Sequence, residues 1–315
     1  MSDRILAGLA LRAEAGDPEA SRLLAQRLAG NPLMRALFGA DADRLADHLQ
    51  GFNALLPVYR AAMADLGLPE PQDAYLFDLI LPLTRFFRQR IPAGRAPYLI
   101  GLAGGPGAGK TTLSRLLSCC LQAMIAPAPR CLSLSIDDFY RPKEERLRRG
   151  FKWRTLPGTH DTERMADVLA ALDRPGTGTL TVPRYDLGRD VPRADEVVSG
   201  KPDICIFDGA MVGSPLPGYD RLARRLDFLI FLDLPTPLLK RWRFERERKL
   251  RAASDGTVGF PEEVMQAFWD EALGPSIANW VAPNAARADL VLSIDAGRRV
   301  TAVRQPQLCP TGTHV

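Results

Sequence analysis

Histidine is scarce in this chain, with three in 315 residues, and the five cysteines (Cys119, Cys120, Cys131, Cys205 and Cys309) are odd in number. None of these residues pair at the spacing of a zinc site, which excludes a structural zinc module. Cys131 and Cys205 fall inside apolar runs read as buried strands, so reduced thiols and a cytoplasmic location are expected rather than a disulfide framework. Long hydrophobic runs are missing too: no stretch approaches the ~20 apolar residues that a membrane-spanning helix needs. The first ten residues hold only a short apolar run, soon followed by Arg12, Glu14 and Asp17, so no signal peptide is expected. Nor is there a large excess of one charge. A net charge of +4, with no Lys/Arg block outside one helical segment, gives nucleic acid little electrostatic footing and suits small anionic molecules instead.

What is present is a globular composition, 46% hydrophobic and 25% charged, in a chain long enough for one large α/β domain with an appendage. Residues 1 to about 95 read as helical. Leu45, Leu49, Phe52, Leu56, Tyr59, Met63 and Leu66 recur at steps of four and three, and Leu76, Leu79, Ile80, Leu83, Phe86 and Phe87 mark a second amphipathic piece. Pro57 and Pro82 interrupt the stripe, which favours helices packed on the chain's own core over a coiled coil. After the turn-rich stretch Ile91–Pro97, apolar strands alternate with helices: Tyr98–Ala103, Cys131–Ile136, Asp203–Phe207, Phe228–Leu232 and Leu290–Ile294. That alternation predicts an α/β fold, a mostly parallel central sheet flanked by helices, with ligands outside the carboxyl ends of its strands.

The first strand runs directly into Gly104-Gly105-Pro106-Gly107-Ala108-Gly109-Lys110-Thr111-Thr112, which fits G-x-x-x-x-G-K-[ST]. Glycines there let successive backbone N–H groups close around phosphate oxygens, Lys110 reaches the β/γ-phosphates, and the Thr111 hydroxyl is a Mg²⁺ ligand. A glycine-rich turn that merely joins strand to helix is the plainer reading. The apolar strand before it, and Leu113, Leu116, Leu117 and Leu121 at helical spacing after it, favour a nucleotide loop.

Carboxylates close two further strands. Asp137 and Asp138 follow the second strand, where one of them is placed to accept a proton from a substrate hydroxyl or to hold Mg²⁺; a helix cap is the rival role. Asp208 ends the strand Asp203–Phe207 as a candidate metal carboxylate, against a simple Asp-Gly turn. Residues 151–200, rich in Gly, Pro and Arg, read as an irregular binding insertion holding His160, Asp161, Arg184, Tyr185 and Arg189. His160 is balanced between structural and catalytic roles. The segment Thr236–Arg251 carries more basic than acidic residues; Glu245 with Lys249 and Glu247 with Arg251 read as surface pairs, and a surplus arginine is expected over the triphosphate.

Ser135-Ile-Asp-Asp-Phe-Tyr140, Leu156-Pro-Gly-Thr-His-Asp161, Trp242-Arg243 with Glu247, and Glu262-Glu-Val-Met265, together with the phosphate loop, carry a resemblance. They resemble the phosphoribulokinase, uridine kinase and pantothenate kinase superfamily of P-loop NTPase fold, and within it the D-glycerate 3-kinases, over roughly residues 75–300. The resemblance implies ATP and Mg²⁺, with Asp137 as base and Lys110 and Arg243 stabilising the transferred phosphoryl. Thr111 and Asp208 would sit near the metal, and Asp138, Tyr140, His160, Asp161, Arg184, Tyr185 and Arg189 would line the pocket of a small hydroxy acid. With the helical pattern and the turn-rich boundary, the expected division is an N-terminal helical extension, 1–95, packed on a P-loop kinase domain, 96–315, whose substrate-binding insertion spans about 138–200. Neither nucleic acid nor membrane is an expected partner, and homo-oligomerisation stays open. At Asp208-Gly209-Ala210 the glycerate kinases usually carry Glu-Gly-Trp, so a sister specificity such as pantothenate or uridine is the alternative acceptor. A P-loop switch protein is the alternative class; Gly200-Lys-Pro-Asp203 lacks the Asn of a guanine motif.

Overall fold

The computed structural model describes residues 3–39, 44–68, 72–92, 97–174 and 178–305. Residues 93–96 of the expected turn, and Cys309, lie outside the described residues. Two compact units result, and neither is contiguous in sequence. The first comprises Met1–Arg95, Thr112–Cys131 and Leu292–Gln305; the second comprises Ala96–Thr111, Leu132–Val291 and Pro306–Val315.

In the first unit the helices Asp3–Glu14, Pro18–Gly30, Pro32–Phe38 and Leu45–Asp65 precede a π-helical turn, Leu76–Ile80, and the helix Leu81–Arg90. Their starts are chemically marked. Asp17 and Asn31 accept backbone N–H groups at the ends of their helices, each followed by a proline whose missing N–H costs nothing there. Pro57 does not end its helix, which runs through it for 21 residues. Leu49, Phe52, Tyr59 and Met63 of the sequence stripe are buried, with Phe52 edge-on to Phe77. Arg27 forks onto the Asp78 carboxylate, and Asn31 Nδ2 donates to the Asp78 carbonyl, so the π-helical turn is tied to the helices before it.

The main sheet has the order β2-β5-β1-β6-β7-β8, with β1 Tyr98–Gly104, β2 Cys131–Ser135, β5 Ile204–Asp208, β6 Phe228–Asp233, β7 Leu290–Ile294 and β8 Val300–Arg304. β1 pairs in parallel with both β5 and β6, Leu102 facing Asp208 and Ile230 across the two ladders. β5 is buried at every position, as expected of a strand covered on both faces. All five strands expected from the sequence are there, and β8 is additional. The insertion is more ordered than its composition suggests. Met165, Val168, Leu169 and Leu172 are the buried face of a helix, Thr162–Asp173, and a separate antiparallel hairpin pairs β3 Leu180–Asp186 with β4 Val191–Val198. Every β4 side chain but the last is exposed, so no hydrophobic alternation marked it.

Candidate active site

The phosphate loop leaves β1 with Gly104 at φ +145°, where an added Cβ would stand 2.8 Å from the Leu232 carbonyl oxygen. Gly107 and Gly109 also have positive φ, which only glycine adopts without strain. The loop therefore wraps tightly, and Lys110 Nζ donates to the Gly104 and Gly105 carbonyls, both at 2.9 Å. Burial lowers the Lys110 ammonium from its usual range, against the opposing pull of Asp208 and Asp137. Thr112 continues into the helix Lys110–Met124.

Asp208 accepts the Thr111 hydroxyl and the Ser135 hydroxyl, both at 3.2 Å. It is 3% exposed, and burial pushes its carboxyl up to about 6, with Asp137 adding to the shift and Lys110 opposing it. The adjoining Gly209 has φ +153°, and a Cβ there would fall 2.0 Å from Ile136 Cγ2. The Asp-Gly pair is thus a close backbone crossing that brings the ends of β5 and β2 together.

After β2 a single 3₁₀ turn, Ile136–Phe139, carries both aspartates. Asp138 accepts the Ser135 and Tyr185 N–H groups and an Arg184 Nη1–H at 2.9 Å, so it pins the turn to the hairpin. Asp137 keeps a side chain 34% exposed, with His160 Nε2 3.9 Å from its Oδ1. Burial would raise the Asp137 carboxyl, but His160, Lys110 and Arg154 together hold it below the ordinary value. Tyr140 stacks on His160 with ring centroids 4.2 Å apart, and burial raises its phenol well above normal. Asp161 caps the helix Thr162–Asp173 through the Arg164 N–H.

Each arginine named from the sequence is held by an acidic partner. Arg184 is held by Asp138 and, at 2.8 Å, by Glu196; Arg189 is exposed and paired with Asp186 at 3.1 Å. Arg243 is buried and bonded to Glu247, whose other oxygen accepts the Phe260 N–H at 2.9 Å. In that helix the ion pairs run Arg241–Glu245 and Arg243–Glu247 rather than toward Lys249 and Arg251. Two further buried arginines were not singled out by sequence. Arg146 Nη2 and Arg154 Nη1 meet the same Asp190 oxygen at 2.6 and 2.9 Å, and the Tyr185 hydroxyl donates to it at 2.8 Å. Asp190 has φ +59° in a non-glycine residue. Arg146 sits in a short charged helix, Lys143–Arg148, among other basic residues, and Arg154 in a bend without periodicity, so neither stood out from its surroundings.

A phosphate loop at the carboxyl end of a mostly parallel sheet, with carboxylates ending the adjoining strands, defines a P-loop kinase that uses ATP on a small molecule. The chain belongs to the phosphoribulokinase/uridine kinase family, whose model matches residues 99–300. It is 30% identical over 227 residues to a pantothenate kinase of Psychromonas ingrahamii, covering 66% of this chain and 70% of that one. A pantothenate kinase of Leifsonia xyli is 28% identical, covering 80% and 88%. In fold it is similar to the D-glycerate 3-kinase of Cryptococcus neoformans, with TM-score 0.54 and 17% identity over 70% of this chain and 96% of that one. The YGR205w protein gives TM-score 0.53 at 21% identity, over 74% and 96%. Among the described residues no helix is long and apolar enough to cross a membrane.

Proposed function

We propose that the chain transfers the γ-phosphoryl of ATP to the hydroxyl of a small carboxylate-bearing alcohol, pantothenate before D-glycerate. The observation that carries this reading is the arginine pair at Asp190. Two buried guanidiniums share one carboxylate, leaving a surplus cation, and Arg154 acts electrostatically on Asp137 and makes no further hydrogen bond among the described residues. An acceptor carboxylate on Arg154 would neutralise that surplus while its hydroxyl reaches Asp137. Pantothenate comes first because relatives at 30% identity carry that name and because Asp208-Gly209-Ala210 departs from the glycerate kinase pattern. D-glycerate is the second reading, favoured by the Gly-Thr-His-Asp stretch that sets His160 beside Asp137.

In this reading the loop amides and Lys110 hold the phosphates, and Asp137, the free member of the acidic pair, takes the hydroxyl proton. Thr111 and Asp208 suit Mg²⁺: one hydroxyl and one crowded carboxylate, completed by phosphate oxygens and waters, is a typical ligand set for that ion. No cluster of three or more His, Cys, Asp or Glu among the described residues could hold a metal alone, which fits an ion that arrives with the nucleotide. Bound there, Mg²⁺ would neutralise charge developing between the β- and γ-phosphates.

The test is ADP release with pantothenate, D-glycerate, glycerol, uridine or no acceptor. One of the two acids should drive turnover, and glycerol, lacking the carboxylate, should fall at least tenfold behind. Arg154→Ala should raise the acceptor KM about tenfold or more, since a charge-assisted hydrogen bond is worth ~1.5–3 kcal/mol, and leave the KM for ATP unchanged. Fastest turnover of uridine would sink the carboxylate reading, and an acceptor-independent rate would return the protein to the switch class.

A further inference from the structure

His160 has one satisfied and one unsatisfied ring nitrogen. Its Nδ1 lies 2.7 Å from the Tyr219 hydroxyl oxygen, and that same oxygen accepts the Gly158 N–H at 3.4 Å. Its Nε2 is buried without a hydrogen-bond partner, 3.9 Å from Asp137 Oδ1. The ring cannot turn away. Tyr140 stacks on one face, Tyr219 stands edge-on with centroids 5.6 Å apart, and the backbone is clamped by Arg141 N–H to Thr159 O at 3.0 Å and Asp161 N–H to Phe139 O at 2.7 Å.

Only one proton arrangement serves every group. With a proton on Nδ1, the Tyr219 oxygen would receive two N–H donors while its own hydrogen went unplaced, and the Nε2 lone pair would face the Asp137 carboxylate. With the proton on Nε2, Tyr219 accepts from Gly158 and donates to Nδ1, and His160 turns an N–H toward Asp137. A separation of 3.9 Å is too long for a direct bond but admits one oxygen within reach of both groups.

We propose that Tyr219 is a positioning residue: it fixes the Nε2–H tautomer of His160, so that this N–H and the Asp137 carboxylate together seat the acceptor's reacting hydroxyl. Nε2–H donates to one lone pair of that oxygen, Asp137 accepts its proton, and the remaining lone pair is left for phosphorus. The inference rests on Asp137 being the base, but its first test needs no substrate. In the full chain labelled with ¹⁵N-histidine, the His160 ring should show the Nε2–H pattern; an Nδ1–H pattern overturns the proposal whatever the acceptor proves to be. In kinetics with pantothenate and with D-glycerate, Tyr219→Phe should raise the acceptor KM about tenfold, leave the KM for ATP unchanged and mix the His160 tautomers. His160→Gln offers an amide N–H near the Nε2 position, and in that background Tyr219→Phe should have no further effect. Equal Tyr219→Phe losses in both backgrounds would make Tyr219 a packing residue only. Turnover with neither acid, alongside the Nε2–H pattern in the wild type, would discard the acceptor reading while keeping the tautomer assignment.

Discussion

Asp137 and Asp138 are adjacent and chemically identical, yet their tasks separate through what surrounds them. Asp138 spends its oxygens on Arg184 and two backbone N–H groups, whereas Asp137 stays half-open beside Lys110 and His160. The sequence made the pair visible but could not divide it, because two of the three partners of Asp138, Arg184 and the Tyr185 N–H, come from a hairpin 46 and 47 residues away. Asp208 was legible as a strand-ending carboxylate; its energetic burden was not. Its folded pKa of about 6 lies above the unfolded value, so the native state holds the proton more tightly between those values, and the stability it contributes at low pH is lost as pH rises toward 6. Asp208→Asn should therefore stabilise the nucleotide-free protein at pH 8 by up to about 3 kcal/mol, and by much less at pH 4.5, while abolishing turnover. Thermal melts at the two pH values check this, and a variant no more stable at pH 8 than the wild type would refute it.

At the scale of elements, the strands with continuous apolar runs and the loop at the end of β1 could be read directly, since burial on both faces writes itself into composition. β4 and β8, largely exposed, left no such mark. The helix Thr236–Ala252 shows how a residue can be noticed and its partner missed. Arg243 stood out in a basic run, but it is the buried half of an ion pair with Glu247, their side chains 8% and 6% exposed. Arg246, exposed and without hydrogen bond or ion pair among the described residues, lies one step round and acts electrostatically on Lys110. Arg243→Ala should thus cost ~3–5 kcal/mol of stability by stranding the Glu247 charge. Arg246→Ala should leave stability within ~0.5 kcal/mol, as surface changes do. If Arg246 is the cation that meets the transferred phosphoryl, its loss lowers kcat at least tenfold at unchanged melting temperature. Denaturant unfolding beside steady-state kinetics separates the two variants, and an Arg243→Ala that keeps its stability but loses kcat, paired with an Arg246→Ala of unchanged kcat, would reverse the assignment.

At the scale of the whole molecule, the first unit takes in Met1–Arg95 and also two later segments, Thr112–Cys131 and Leu292–Gln305. The helix Lys110–Met124 begins in the second unit and continues in the first, and β7 crosses the division between Val291 and Leu292. A helix is a cooperative element, so a unit that melts takes with it the far end of any helix it shares. The packing of these later segments with the N-terminal helices depends on pairings distant in sequence, which no local pattern encodes. All four tryptophans, Trp153, Trp242, Trp269 and Trp280, lie in the second unit, which makes their fluorescence a selective reporter. Phe52 is fully buried in the first unit against Phe77, and Phe52→Ala should remove ~3–5 kcal/mol there. Were the units independent, far-ultraviolet circular dichroism would develop an early phase while the tryptophan transition stayed in place. Because the loop-bearing helix and β7 belong to both units, the expected outcome is one coincident transition by both probes, lowered by about 5–10 °C, with ATP-dependent turnover lost over the same range. A tryptophan melt unmoved by Phe52→Ala would instead establish the N-terminal helices as a separable appendage.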